Sequence, residues 1–449
     1  MVKSTVKTKY LVIGNSAGGI GAVEAIREVD KSGAITIVSD EPYAAYSRPL
    51  ISEYLAGERI LDGMLYRPAD FYNKNSILTA LGSRVKRLHL DEHIIELEGG
   101  KKIAWEKLLL ATGGSPIVPQ IEGGEKKGVF TFTTLDDAKA IDMYLNSSGA
   151  TQAVVIGGGL IGISVTEALV KRQIKVTVVE MKERVLNTIL DEEGSALEEE
   201  ALKKAGVEVV AGHTVTAING NSSEKGSINE VTLDDGNAIS CNLVIIAIGV
   251  VPRTELVSNT EINVNRGIVV DRYMATSSRD IYACGDVAEA YDFIYGENRL
   301  TPIWPNAYLG GRVAGYNMAG ILTEYPGGTA MNSLKYFKLD IAAAGIVDPL
   351  DNSYEVLNEK SDSAYHRVVL KDGLVVGMVS VGNIERSGIV FSLIKDKINV
   401  SSFKQALTAD DFGLASLPRE LWQKRLGAPQ KSVFQPILSA ERVEDPAGE

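Results

Sequence analysis

Cysteine is scarce in this sequence. Cys241 and Cys284 are the only two among 449 residues. Two cysteines that lie far apart exclude a disulfide scaffold and a cysteine-based metal site, and they are typical of a reducing compartment. We therefore expect a cytoplasmic protein and predict no metal centre.

Basic charge and long apolar runs are also lacking. The chain has 46 Lys and Arg against 58 Asp and Glu, a formal charge of −12. This balance argues against a nucleic-acid partner, which would need many Lys and Arg contacts to phosphate. A solvated acidic surface explains the charge, with an acidic docking patch as the alternative.

The longest run of low charge, residues 153–170, contains four glycines and Glu167, so we predict no membrane span. The first ten residues show no signal-peptide pattern.

Length and periodicity indicate several α/β domains. A chain of 449 residues with 45% hydrophobic and 23% charged residues is typical of two to four globular domains. An apolar run, a glycine turn, a helical pattern and a second apolar run follow one another at 10–13, 14–19, 20–29 and 34–38. The same layout recurs at 153–156, 157–162, 160–172 and 175–179. The sequence therefore predicts two βαβ units of the dinucleotide-binding type.

The remaining patterns predict antiparallel structure. Alternation predicts hairpins at 88–105 and 228–243, and an antiparallel sheet from about Ser333. Helices are expected at about 386–395 and 402–407. The polar segment after about Ala428 is expected to be loose.

The first glycine loop is GNSAGG, residues 14–19. Such a turn lets the backbone approach a pyrophosphate at a helix N-terminus, although Ser16 replaces the second glycine. A purely structural turn is the alternative. The strand that follows ends at Ser39, and we favour Asp40 or Glu41 as the residue that meets the ribose hydroxyls.

The second glycine loop, GGGLIG at 157–162, is a complete match that follows a strand and opens a helix. Glu180 ends the next strand, where a carboxylate binds a ribose diol and repels a 2′-phosphate, so we predict a preference for NADH over NADPH. Lys182 and Arg184 are close enough in sequence to weaken this preference. The predicted contacts of the loop are Gly157, Gly159, Leu160, Ile161 and Gly162.

Further motifs carry a family resemblance. With the two βαβ units, LLLATGGSP (108–116), IIAIGVVPR (245–253) and IYACGDVAE (281–289) resemble the pyridine nucleotide–disulfide oxidoreductase superfamily. SRPLISEYLAG (47–57) and LKDGLVVGMVSVGNIE (370–385) are similar to its NADH:rubredoxin reductase and nitrite reductase flavin-domain branch. The resemblance implies an α/β fold with two Rossmann-like domains, for FAD and NAD, and a C-terminal α+β interface domain. The expected domains are 1–118 with 248–325 for FAD, 119–247 for NAD, and 326–427 for the interface, followed by a flexible tail at 428–449.

The resemblance also implies the residues of the FAD site. Arg48 is expected near the phosphates, Pro49 and Trp304 beside the flavin ring, and Asp286 on the ribityl or phosphate portion. The alternatives are a surface ion pair for Arg48, a packing anchor for Trp304 and a helix N-cap for Asp286. The remaining implied cofactor contacts are Gly14, Ser16, Ala17, Gly19, Ala111, Thr112, Gly113, Gly249, Gly285 and Asn306.

One departure from the family concerns chemistry. Members use a cysteine pair, or a single cysteine near residues 47–49, and this sequence has neither. Relatives that carry lysine in place of Glu53 pair it with a glutamate in place of Ser164, and both positions are changed here. With Pro49, these two positions are the candidate catalytic residues. We expect Glu53 to line the site and tune the flavin potential, with a solvated helix charge as the alternative.

The resemblance implies hydride transfer from NADH to flavin N5. Without a thiol, the electrons are expected to leave for a one-electron carrier such as rubredoxin, ferredoxin or an iron–sulfur partner, with a carbon monoxide dehydrogenase system among the candidates. The alternatives are an NADH oxidase that reduces oxygen and an NADH-responsive redox-sensing interaction protein. The C-terminal sheet is expected to form a homodimer interface, although a domain core explains its apolar strand equally well.

Overall fold

A mainly parallel sheet forms from the first βαβ unit in the computed structural model, which describes residues 5–220, 226–349, 351–361, 364–409 and 412–421. Its strand order is β3-β2-β1-β6-β5-β4, and the later strand Ile281–Ala283 pairs with β6. All four residues of β2 are buried, as expected for a central parallel strand. The elements are β1 (Val6–Ile13), α1 (Ala17–Val29), β2 (Ile35–Val38), α2 (Ile51–Leu55), α3 (Phe71–Lys74), β3 (Ile77–Ala80), β4 (Val85–His89), β5 (Ile94–Leu97), β6 (Lys102–Leu110) and β7 (Gly114–Pro116).

The second βαβ unit builds a five-stranded parallel sheet of order β11-β10-β9-β15-β8. A small antiparallel sheet, β12-β13-β14, follows from the hairpin pattern at 228–243. The elements are β8 (Val129–Thr131), α4 (Leu135–Ser148), β9 (Gln152–Ile156), α5 (Leu160–Lys171), β10 (Lys175–Glu180), α6 (Glu192–Lys204), β11 (Glu208–Ala211), β12 (Val215–Gly220), β13 (Ile228–Leu233), β14 (Ala238–Ser240) and β15 (Leu243–Ile246).

The chain then returns to the first sheet. β16 pairs antiparallel with β7, and β18 is the strand that joins β6. The helix α7 packs closely against α1, so the end of this segment lies beside the first glycine loop. The elements are β16 (Val250–Pro252), β17 (Ile268–Val269), β18 (Ile281–Ala283), β19 (Ala288–Asp292), β20 (Glu297–Arg299) and α7 (Trp304–Met318).

The last described segment is an antiparallel sheet of order β21-β22-β25-β24-β23, covered by one helix. A short 3₁₀ helix, Lys404–Ala406, occupies the place where a helix was expected at 402–407. The elements are β21 (Met331–Tyr336), β22 (Leu339–Gly345), β23 (Glu355–Lys360), β24 (Tyr365–Lys371), β25 (Leu374–Val381) and α8 (Ser387–Lys395).

The predicted fold class is confirmed: two Rossmann-like units, one with a mainly parallel and one with a parallel sheet, and a C-terminal α+β unit. The domain boundaries stay a prediction, and the predicted tail at 428–449 lies outside the described residues. Within the described ranges, no helix combines the length and apolar character that crossing a bilayer requires.

Candidate functional site

The two helices that follow the glycine loops begin without caps. Ser16 and Gly159 are the N-cap residues of α1 and α5; neither supplies a side-chain cap, and neither first turn contains an acidic residue. In contrast, α4 begins with a capping box at Thr134, and Asp191 caps α6. The first-turn N–H groups of α1 and α5 are therefore available to an anion, which fits the pyrophosphate of a dinucleotide.

The backbone of both loops approaches neighbouring strands too closely for a side chain. Gly14 has φ +122°, and a Cβ on it would collide with the carbonyl oxygen of Ala111. A Cβ on Gly162 would collide with the carbonyl of Gly157. A Cβ on Gly159, however, would meet nothing within 4 Å, so open space lies where the ligand is expected. The residues present therefore fit two dinucleotides, with Ala17 and Gly19 in the first turn of α1.

The two carboxylates after β2 both have protein partners. Asp40 pairs with Arg253, with 2.9 Å between Oδ2 and Nη1. Glu41 accepts a hydrogen bond of 2.5 Å from the Tyr46 hydroxyl and pairs with Arg48 through its other oxygen. The structure thus brings Glu41 and Arg48 together, and the residue that binds the ribose stays a prediction.

Asp286 is a half-buried carboxylate that accepts no hydrogen bond from the described residues. It follows β18 and Gly285, whose φ is +75°. Burial raises the pKa of Asp286, and the nearby Arg48 guanidinium opposes that rise. Since a carboxylate accepts from hydroxyl groups, this position fits a hydroxyl of a bound cofactor. The structure places Cys284, not Asp286, at the N-cap of this 3₁₀ turn.

The two segments that connect the first sheet with the second, around β7 and β16, are joined by hydrogen bonds. The Thr112 hydroxyl donates to the carbonyl of Arg253 at 3.0 Å, and the N–H of Arg253 donates to the carbonyl of Gly113 at 2.9 Å. Gly249, with φ +128°, accepts from Ile117 at 3.0 Å. These residues therefore lie at the same edge as Ala111 and the first glycine loop.

Trp304 and Asn306 occupy the start of α7. The Trp304 ring meets Tyr66 edge-on, with 4.9 Å between centroids, as expected of a packing anchor. Asn306 donates to the carbonyl of Thr329 at 3.2 Å. Asn306 and Gly285 line the same small cavity of about 20 Å³, so the structure brings these two predicted cofactor contacts together.

Glu180 connects the second glycine loop to the turn after β10. Its two oxygens accept N–H groups from Gly158 at 2.6 Å and Lys182 at 2.8 Å, and the residue is 8% exposed. Arg184 is paired with Asp348 at 2.5 Å. The arginine that was expected to weaken selection against a 2′-phosphate therefore already has an acidic partner.

The three candidate catalytic residues have different surroundings. Glu53 forms an ion pair with Arg59, 2.7 Å between Oε2 and Nε. Pro49 is exposed in the 3₁₀ turn Arg48–Leu50. Ser164 lies on α5 within hydrogen-bonding reach of the Tyr336 hydroxyl. The helices α2 and α5, which contain Glu53 and Ser164, pack together. The negative charge of Glu53 is offset by the positive charge of Arg59.

Neither cysteine is placed for thiol chemistry. Cys241 is 3% exposed and Cys284 is fully buried. Burial raises the pKa of each thiol to about 12, whereas a reactive cysteine needs its thiolate near neutral pH. The Cys284 sulfur packs at the start of α1, 2.8 Å from where a Cβ on Gly18 would lie.

Sequence reasoning missed a buried carboxylate, Glu198. It is 0% exposed, and neither side-chain oxygen has a hydrogen-bond partner in the described structure. Burial, with a smaller effect from Glu167, raises its pKa to about 8. A signal was available, because Glu198 lies four residues from both Gly194 and Leu202, which share the buried face of α6.

A potential metal cluster also lay outside the sequence prediction. Oxygen and nitrogen atoms of His213, Asp234 and Asp235 approach within 4.8 Å of one another at the exposed edge of the small sheet. His213 Nδ1 and Asp234 Oδ1 are 2.9 Å apart, and this contact raises the histidine pKa. The hydrogen-bonded pair accounts for the cluster without a metal.

Two uncapped glycine loops, each of which follows a parallel strand and opens a helix, are typical of an α/β protein that binds two dinucleotides. The chain belongs to the pyridine nucleotide-disulphide oxidoreductase family, which it matches over residues 8–311. Residues 331–398 match the rubredoxin NAD+ reductase C-terminal domain. The protein is therefore an NADH-dependent flavoprotein oxidoreductase that binds FAD and NAD(H).

The match with this chain spans most of the length of each of the following proteins. The chain is 29% identical to the NADH-dependent phenylglyoxylate dehydrogenase subunit epsilon of Aromatoleum evansii, over 90% of this chain and 95% of that protein. It is 30% identical to the NADH-rubredoxin oxidoreductase of Clostridium acetobutylicum, over 87% and 97%. Among solved structures, a NAD-dependent persulfide reductase from A. fulgidus has a TM-score of 0.83 at 26% identity, covering 93% of this chain and 83% of that one.

Proposed function

We propose that this flavoprotein passes electrons from NADH through FAD to a one-electron carrier protein, such as rubredoxin, a ferredoxin or an iron–sulfur partner, without a thiol intermediate. The observation that carries the proposal is the burial of both cysteine thiols. Both thiols are buried with a pKa near 12, and the segment before α2 has serine, arginine and proline where a thiol would act. Electrons therefore have no thiol outlet.

Relatives support a protein acceptor. The similar proteins named above include an NADH-rubredoxin oxidoreductase and a subunit of an NADH-dependent dehydrogenase, and the C-terminal unit matches a rubredoxin reductase domain. The first name pairs NADH with the redox protein rubredoxin, and the second names a subunit of an NADH-dependent enzyme. Electron transfer from a flavin to a carrier protein needs side chains that position the cofactor and supply charge, and it needs no nucleophilic side chain.

Bound FAD supplies the ability to accept a hydride and to release single electrons. The residues of this chain bind and orient it. The first loop receives the pyrophosphate at the N-terminus of α1, while Asp286 accepts from a cofactor hydroxyl. Arg48 provides positive charge beside Asp286, held by Glu41 and by the carbonyl of Thr133 at 2.9 Å.

The same proposal includes a preference for NADH. The buried carboxylate of Glu180 is held at the second loop by two backbone N–H groups, where it would repel a 2′-phosphate. The ion pair between Arg184 and Asp348 removes one cation that could offset that repulsion. We expect kcat/KM for NADH to exceed that for NADPH by at least tenfold.

An acceptor screen under anoxic conditions tests the proposal. Purified FAD-loaded protein is given NADH with rubredoxin, ferredoxin or a small disulfide, and the same assay is repeated in air without a carrier. We expect rapid NADH oxidation with a carrier protein and slow oxidation with oxygen or disulfide. Fast, stoichiometric oxygen consumption would instead identify an NADH oxidase. Slow turnover with every acceptor, together with an NADH-dependent change in mass, would identify a redox sensor.

Three further predictions accompany this function. We propose that the C-terminal sheet mediates a homodimer, which light scattering of the FAD-loaded protein tests by its mass. A monomer mass would contradict this assignment. We also propose a cytoplasmic location and the domain boundaries given in the sequence analysis.

A further inference from the structure

A hairpin of the C-terminal sheet docks on the helix of the second glycine loop. β21 and β22 are joined by the two-residue turn Phe337 and Lys338, whose φ angles are +47° and +69°. This tight turn ends the hairpin directly after Tyr336. The tip is therefore presented to α5 in one defined orientation.

Three contacts connect the hairpin to one face of α5. The Tyr336 hydroxyl donates to the carbonyl oxygen of Leu160 at 3.2 Å, and the Ser164 side chain is near enough to lower the Tyr336 pKa. The N–H of Phe337 donates to Oε1 of Glu167 at 3.1 Å. Leu160, Ser164 and Glu167 are spaced four and three residues apart, so they share a face of the helix.

The contacted end of α5 is the end that meets the nucleotide. Leu160 is the first residue of the helix and directly follows Gly159, the N-cap beside the open ligand space. We propose that Tyr336 is a positioning residue of the NADH site, which holds the first turn of α5 through Leu160 and Ser164. The C-terminal unit thereby becomes part of the nucleotide site of its own chain. This inference rests on NAD(H) binding and is independent of the electron acceptor.

The surroundings of Tyr336 suit this role. Burial raises its pKa to about 12, opposed by Ser164, so the hydroxyl stays protonated and able to donate. The buried carboxylate of Glu198 lies close to it, as does Glu167, which faces Lys171 at 3.9 Å. Burial raises the pKa of Glu198 to about 8.

The test measures NAD+ binding without turnover. FAD-loaded wild type, Tyr336→Phe, Ser164→Ala and the double variant are titrated with NAD+ by calorimetry at pH 7. Loss of one neutral hydrogen bond predicts about fivefold weaker binding for Tyr336→Phe. Because the two hydroxyls act together, the double variant is expected to lose less than the product of the single losses. In turnover, KM for NADH is expected to rise by a similar factor while kcat changes less than twofold.

Tyr354→Phe is the matched control. Tyr354 lies in the same C-terminal unit but outside the hairpin, where its hydroxyl accepts from Lys371, and its change should leave NAD+ affinity unaltered. Flavin content and melting temperature report whether each variant is folded. If Tyr336→Phe does not fold, Ser164→Ala alone removes a partner of the same hydroxyl and serves in its place.

Several results would overturn the inference. Unchanged NAD+ affinity in a folded Tyr336→Phe protein would do so, as would an equal loss in Tyr354→Phe. Absence of NAD+ binding in the wild type would refute the nucleotide site itself, which distinguishes the two failures.

Discussion

Replacing Glu198 with methionine should stabilise the protein, and the gain should grow with pH. The carboxyl is fully buried and has no hydrogen-bond partner among the described residues, and its pKa is raised from 4.5 to about 8. In the unfolded chain the group ionises above pH 4.5, whereas the native state keeps the proton until about pH 8. Native stability is therefore lost as pH rises between these values. At about 1.36 kcal/mol per pKa unit, the loss is about 3 kcal/mol at pH 7 and about 5 kcal/mol above pH 8.

Hydrogen exchange of the α6 amides measures this difference locally, which avoids assuming two-state unfolding of a multidomain chain. Relative to the wild type, Glu198→Met is expected to slow exchange by a factor that increases about tenfold per pH unit from pH 5 to pH 8. Glu200→Met is the control, because Glu200 is on the same helix but exposed and paired with Lys204. A stability difference that stays flat across this pH range would refute the reasoning, since it would mean that Glu198 titrates normally.

Four other substitutions test the cofactor site. Gly14→Ala forces a side chain against Ala111 at a positive φ, so we expect loss of FAD, read from the ratio of flavin to protein absorbance. Asp286→Asn removes the partnerless acceptor, and flavin titration should show FAD binding about tenfold weaker; unchanged affinity would contradict its role. Arg59→Gln frees the charge of Glu53 and should lower the FAD midpoint potential in a redox titration, with Glu53→Gln restoring it. A potential unaffected by both changes would show that Glu53 is a solvated helix charge.

Much of the nucleotide chemistry was predictable from local sequence. The glycine loops at 14–19 and 157–162 depend on backbone conformation and on the strand and helix that flank them, and both properties are encoded within about thirty residues. The same holds for the position of Glu180 at the end of β10. Family membership followed from these motifs, and the comparisons confirmed it.

The partners of the charged side chains were not predictable. Asp40 meets Arg253 and Arg48 reaches the carbonyl of Thr133, so residues far apart in the chain determine their environments. Glu53 is a further case: the sequence predicted that it lines the site or is a solvated helix charge, and the structure shows that it pairs with Arg59. No periodicity specifies which of many arginines will neutralise a given carboxylate.

The sequence by itself determined the two βαβ units, the glycine loops and the lack of a cysteine near residues 47–49, because each depends on local residue order. The tertiary structure alone decided that Tyr336 would meet Leu160 beside Ser164, and that Glu198 would be buried with no hydrogen-bond partner in the part of the chain that the structure describes. The contacting segments are about 170 residues apart in the chain. Only packing of the C-terminal hairpin on α5 brings them together, and packing also sets the solvation on which the pKa of Glu198 depends.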